Sequence, residues 1–190
     1  MGFFMSERWI FVQIQEAIEK RRSIRHYVDK KIKEEDIARI LKAGTLAPSA
    51  HNKQPWFIHV VESQKTKEQI ADILMQKEDE SIKNTARIMK EASVLFIIFE
   101  EKTDLSVKMQ QQSIGAFMEN MCLEATELGI GSLWIGHILE IEKEIKQLFH
   151  EKRKVACALA LGYTEANPSP RPRKNLKDMI QIHDEEEEVE

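Results

Sequence analysis

Apolar positions along the chain alternate between helical and extended spacing. Ile14 and Ile18 stand four apart in a polar stretch, which predicts an amphipathic helix ending near Arg21. The same period returns over Glu34–Thr45, with Ile37, Ile40 and Leu41 on one face and Gly44 near the C-terminus. Trp56–Val61 alternates poorly but is rich in β-formers, so a buried strand is expected. Ser63 is placed to cap a helix carrying Ile70, Ile73 and Leu74. The charged stretch Lys77–Lys90 predicts a helix with a short break, and Val94–Phe99 a second strand. The longest helix is expected from about Val107 to Leu128, stopped by Gly129. Its wide apolar face of Ile114, Phe117, Met118, Met121, Cys122 and Ala125 suits a central helix. A strand at Ser132–Ile135, a short helix at Glu140–Phe149 and a strand at Val155–Leu161 follow. Prolines then punctuate Pro168–Lys174, which can join neither a helix nor a central strand and is read as an extended arm. Without repeat or linker, the expectation is one α+β domain over residues 1–183, a central mixed sheet flanked by helices, followed by an acidic tail at 184–190.

A chain of 190 residues suffices for one domain with a substantial core. Its 42% hydrophobic and 32% charged residues describe a soluble globular protein rather than a disordered one. The net charge of −4 offers no basic field for nucleic acid, so any anion must be bound locally. Cys122 and Cys157 are far apart and lack the spacing of a zinc site or a disulfide framework, which fits a reduced, cytoplasmic chain. No apolar run reaches the roughly 18 residues that span a bilayer, so no membrane partner is expected. Met1–Ser6 formally matches a myristoylation pattern, but Phe3, Phe4, Trp9, Ile10 and Phe11 are read as packing on the body or on a partner subunit.

Four clusters carry candidate chemistry. Arg21, Arg22, Ser23 and Arg25 place forked guanidinium donors and a hydroxyl at a helix end. That set suits a phosphate dianion, or else a basic terminus favoured by the helix dipole. Arg171, Arg173 and Lys174 alternate with proline in the arm, which suits an anion between the two arginines, or contacts with surface carboxylates. The run Pro48, Ser49, Ala50, His51, Asn52, Lys53, Gln54, Pro55, Trp56 is too polar for a core. Its amides match a ring edge of alternating C=O and N–H, such as the pyrimidine side of a flavin, unless the run is a structural turn. Gly136, after the apolar Ile135, allows close approach of backbone to a ligand, and His137 beside it is either an acid or a packing residue. Glycine phosphate loops, HExxH, GxSxG, CxxC and Asp-rich metal loops are all missing from the sequence. His26, His51, His59, His137, His150 and His183 lack ligand spacing, so no metal is expected.

In this order the clusters resemble the nitroreductase family of FMN-dependent oxidoreductases. The likeness runs from about residue 14 to 180 and includes Glu119-Asn120, Gly129–Gly136 and Leu161-Gly162-Tyr163. The resemblance implies an intertwined homodimer with two FMN sites at its interface. By position, Arg21, Arg22, Ser23 and Arg25 would contact the FMN phosphate, ribityl chain and pyrimidine edge, and Arg171 and Arg173 would close over the phosphate. Pro48, Ser49, Ala50 and Asn52 would come from the other subunit, with Gln54 nearby, and Ile135 and Gly136 would line the ring. Arg25 would stabilise negative charge on the reduced ring, and Asn84 would be a further contact. NADH or NADPH would reduce the flavin, and a nitroaromatic, quinone or related small acceptor would reoxidise it, in a ping-pong cycle. A dehalogenase, flavin-destroying or dehydrogenase-like FMN enzyme, or a non-catalytic flavin-binding protein, is the alternative. Gln112 and Ser113 stand where the family often has an acidic residue, and the short stretch between Leu139 and Leu148 leaves little room for a substrate lid.

Overall fold

A computed structural model describes residues 14–183, so the N-terminal aromatic cluster and the acidic tail lie outside the described residues. Along the chain these residues form α1 (Ile14–Lys20), α2 (Glu34–Thr45), β1 (Trp56–Val61), α3 (Gln64–Met75), α4 (Glu80–Glu91), β2 (Val94–Glu100), α5 (Val107–Glu127), β3 (Gly131–Ile135), α6 (Glu142–Leu148) and β4 (Lys154–Gly162). Ser63 caps α3 by accepting the Thr66 amide at 3.3 Å, as its position predicts. Gly129 ends α5 with φ +69°, a left-handed conformation that favours glycine.

The strands pair in the order β1-β2-β4-β3, and all three pairings are antiparallel. This corrects the expected mixed sheet. β2 and β3 run in the same direction, but β4 is inserted between them and opposes both, so the two never pair. The parallel contribution is the isolated bridge between Ser23 and Ser132.

β2 lies inside the sheet and is buried on both faces, which is why its sequence does not alternate. Val94, Phe96 and Ile98 pack with α2 and α5, while Leu95, Ile97 and Phe99 pack with α3 and α4. The result is helices, sheet, helices, with a core on each side of the sheet. Gly44 does not cap α2, which continues to Thr45. A Cβ there would come within 2.7 Å of the Phe117 ring and 2.9 Å of Met121, so glycine is what lets α2 approach α5. On α1 the apolar stripe is left uncovered by the described residues: Ala17 is buried, but Ile14 and Ile18 are 74% and 56% exposed.

The edge strand β1 carries a polar lock. Glu151 accepts the Lys152 and Arg153 amides at 2.7 and 3.0 Å and the Arg153 guanidinium at 2.9 and 3.1 Å, and its other oxygen lies 3.3 Å from His59 Nε2. The Arg153 amide foremost, helped by the Lys152 amide, His59 and the Arg153 side chain, holds this carboxyl down at about 2. A depressed carboxyl pKa contributes stability that is present above its ordinary value and lost as pH falls through the folded one. Acid unfolding should therefore draw on Glu151 between pH 4.5 and about 2. Glu151→Gln should be less stable at neutral pH and lose less over that window; equal losses by urea titration at several pH values would refute the assignment.

Candidate active site

Backbone pairing sets the arginine cluster. The Arg21 amide closes α1 on Ala17 O at 2.9 Å, and the Ile24 amide then bonds Ser132 O of β3 at 2.9 Å. Ile24 is buried against Gly131, where a Cβ would come within 2.9 Å of its side chain. With Ile24 turned inward, its neighbours Ser23 and Arg25 are exposed on the other side of the extended chain. The chain leaving β4 runs alongside: Val28 bonds Tyr163 O at 2.9 Å, and the Thr164 hydroxyl donates to His26 O at 2.8 Å. Together they form a groove of about 890 Å³ that brings Arg21, Arg22, Ser23 and Arg25 opposite Arg171 and Arg173. Residues some 150 positions apart in the chain thus share one cavity, as the two separate clusters predict.

The charge in this groove is poorly balanced. Arg21 Nε lies 3.3 Å from Glu119 of α5, but Arg22, Arg25, Arg171 and Arg173 have no carboxylate at ion-pair distance among the described residues. Arg22 spends one nitrogen on the carbonyls of Glu19 and Arg21, and its buried Nε has no hydrogen-bond partner there. Leaving such a donor unpaired is costly, and a phosphate oxygen would satisfy it. The donor set fits a phosphorylated cofactor. A second concavity, of about 740 Å³ beside α6, is lined by Glu140, Glu142, Glu144 and Glu151 against Lys143 and Lys146, and its net negative charge suits a dianion less well.

The Pro48–Gln54 loop is not part of that groove. Ser49 Oγ accepts the Gln54 amide at 3.0 Å, and Gln54 Nε2 donates to Asn52 O and Oδ1 at 3.3 and 3.4 Å. His51, Asn52 and Gln54 all adopt left-handed conformations, with φ of 51°, 53° and 46°. Such strain persists only where surrounding contacts enforce it. Ser113 on α5 supplies one, accepting the Ala50 amide at 3.2 Å, and Trp56 stacks on Phe117 at 4.6 Å. Ser113 and Glu119 are six residues apart on α5, which separates them by about 9 Å along the axis and about 120° around it. Loop and groove therefore hang on different faces of one helix and do not converge within the chain. Ile135 is 3% exposed and faces the core with its side chain, so any ligand contact there runs through backbone. A Cβ at Gly136 would meet nothing within 4 Å.

The sequence pattern did not assign the supporting contacts of two residues. Ser113 is a buried polar position on the apolar stripe of α5, and Thr85 of α4 lies buried with its hydroxyl 2.8 Å from His137 Nδ1. Neither cysteine is poised for chemistry: burial pushes Cys122 up to about 11 and Cys157 to about 12, so both are thiols at neutral pH.

The family model of the nitroreductase family matches residues 18–163. The chain belongs to the nitroreductase family. The matched stretch takes in the first arginine cluster, the Pro48–Gln54 loop and the whole sheet. It stops short of Arg171 and Arg173, whose place in the site rests on the groove itself. An Archaeoglobus fulgidus protein designated NADH dehydrogenase/NAD(P)H nitroreductase is 34% identical over 149 residues, covering 75% of this chain and 80% of its own. An iodotyrosine deiodinase from Thermotoga neapolitana is 25% identical over 180 residues, covering 85% and 94%. Among solved structures, a nitroreductase-designated protein from Desulfovibrio desulfuricans, in complex with FMN, superposes with a TM-score of 0.78 at 26% identity, covering 90% of this chain and 96% of that one.

Proposed function

We propose that this member of the nitroreductase family is an FMN-dependent NAD(P)H oxidoreductase that acts as a homodimer and passes electrons to nitroaromatic, quinone or related small acceptors. The observation that carries the reading is the groove in which Arg21, Arg22, Arg25, Arg171 and Arg173 converge with a buried, unpartnered guanidinium nitrogen among them. Arg21, Arg22, Ser23, Arg171 and Arg173 hold the phosphate and ribityl chain. Arg25, at the mouth of the same groove, places positive charge against the pyrimidine edge, a use of preorganised electrostatics. Gly136 gives its backbone to the ring. Bound there, FMN would supply the hydride chemistry between the nicotinamide and the acceptor.

The dimer is supported by what the described residues of one chain leave uncovered. Ile14 and Ile18 of α1 and Leu176, Met179, Ile180 and Ile182 of the arm are exposed apolar side chains, which a second copy would bury. The angular separation of groove and loop on α5 has the same reading: Pro48, Ser49, Ala50, Asn52 and Gln54 of one copy complete the groove of the other. Purified protein should show a flavin absorption spectrum that NADH or NADPH bleaches and a quinone or nitroaromatic restores. FMN-loaded protein that neither nicotinamide bleaches would refute the reductase reading. The deiodinase relative makes a halogenated phenol the second acceptor to assay.

A further inference from the structure

We infer that Thr164 is a positioning residue that sets the span of the anion groove. Its hydroxyl ties the root of the arm carrying Arg171 and Arg173 to the segment carrying Arg21, Arg22 and Arg25. This rests on the flavin reading above for the identity of the anion, and on the groove itself for the rest.

The two walls are held unequally. The first is fastened to the chain beside it at three points. The Ile24 amide donates to Ser132 O at 2.9 Å, the Val28 amide donates to Tyr163 O at 2.9 Å, and the Tyr27 hydroxyl lies 3.1 Å from Ala160 O of β4. Tyr27 fits there because Gly162 has no side chain: a Cβ would come within 2.7 Å of the ring. The second wall has no such support. Every residue from Glu165 to His183 is exposed, and among the described residues 167–183 form hydrogen bonds only with one another.

Thr164 is the last point at which the walls are joined, and its partners settle the direction of both bonds. A carbonyl only accepts, so Oγ1 donates its single proton to His26 O at 2.8 Å. An amide only donates, so Oγ1 accepts the Ala166 N–H at 3.0 Å. His26 follows Arg25 directly, and Ala166 directly precedes Asn167, where the arm starts to line the groove. One oxygen therefore connects the end of one wall to the root of the other.

The arm turns this into leverage. Beyond Ala166 it runs through Pro168, Pro170 and Pro172, whose fixed φ keeps a chain extended and stiff over several residues. At about 3.1 Å per residue, Arg171 stands about 15 Å along the chain from Ala166. A small rotation at the root swings both arginines of the arm, while the first wall stays on the sheet. The approach of Arg171 and Arg173 to the opposite arginines thus depends on the Thr164 hydroxyl.

The test compares wild type, Thr164→Val and Thr164→Ser, each freed of flavin and titrated with FMN and with riboflavin. Valine keeps the shape and removes both hydrogen bonds, and serine restores the hydroxyl. Thr164→Val should bind FMN roughly tenfold more weakly, the scale of one or two neutral hydrogen bonds, and change its riboflavin affinity by less than about threefold. Thr164→Ser should bind both ligands as wild type does. Pro170→Gly leaves the Thr164 bonds in place but loosens the lever, and should also lose FMN selectively. Wild-type FMN affinity in Thr164→Val, equal losses for FMN and riboflavin, or no recovery in Thr164→Ser overturns the proposal and leaves the flavin reading intact. If Thr164→Val does not fold, wild-type FMN affinity in Pro170→Gly overturns it instead. Wild-type protein that binds neither flavin removes the flavin reading. Inorganic phosphate then takes the place of FMN, and a thermal shift by phosphate as large in Thr164→Val as in wild type overturns the role of Thr164 too.

Discussion

Protein carrying both Arg21→Ala and Arg173→Ala is expected to purify without flavin. These two residues stand on opposite walls of the groove, one after α1 and one in the arm. A hydrogen bond to a charged group contributes about 1.5–3 kcal/mol. Losing two such contacts costs about 3–6 kcal/mol, or roughly two to four powers of ten in Kd. The Arg21 change carries a further cost, because it leaves Glu119 without its cationic partner at 3.3 Å. The measurement is flavin absorbance per protein, followed by titration of the apoprotein with FMN and with riboflavin. Riboflavin lacks the phosphate, so its affinity should change far less. Unchanged FMN content, or equal losses for the two ligands, would remove the phosphate from this groove.

Phe117→Ala should cost about 3–5 kcal/mol of stability, the usual range for deleting a buried aromatic ring. Phe117 is fully buried and sits at a junction. Its ring stacks on Trp56 at 4.6 Å and closes against Gly44, so the deletion opens a cavity between α2, α5 and the start of β1. Trp56 follows the strained loop directly, and the loop should therefore loosen too. Urea unfolding reads the first effect, and protease cleavage near residue 52 the second. A loss below 1 kcal/mol would mean that α2 collapses onto α5 and fills the space.

Much of this molecule was legible in its sequence because burial leaves a period. The face of α5, the cap at Ser63 and the stop at Gly129 are local signals, and they formed where the sequence pattern placed them. Strand direction is not local. Nothing in Val94–Phe99 or Val155–Leu161 records which neighbour each will take, and so the antiparallel order was missed. The helix over Glu34–Thr45 formed with the expected bounds, but the packing reason for Gly44 was not legible, because it answers to the Phe117 ring of another element. The two arginine clusters were legible because each concentrates like charge in a short segment. Their common cavity, and the separate face on which the Pro48–Gln54 loop lies, depend on the path of the chain after β4.

The position of β4 also sets an order of assembly. It is the last strand in the sequence yet an inner strand of the sheet, holding β2 on one side and β3 on the other. Until the chain through Gly162 is available, β2 and β3 each present an unpaired edge, and no strand pairing joins them. Such non-local closure is slow and exposes strand edges while it waits. The arm that carries Arg171 and Arg173 follows β4 directly. A ribosome making this protein therefore supplies the second wall of the groove only after the last strand, and a truncated or stalled product ending before β4 is an aggregation hazard that lacks Arg171 and Arg173.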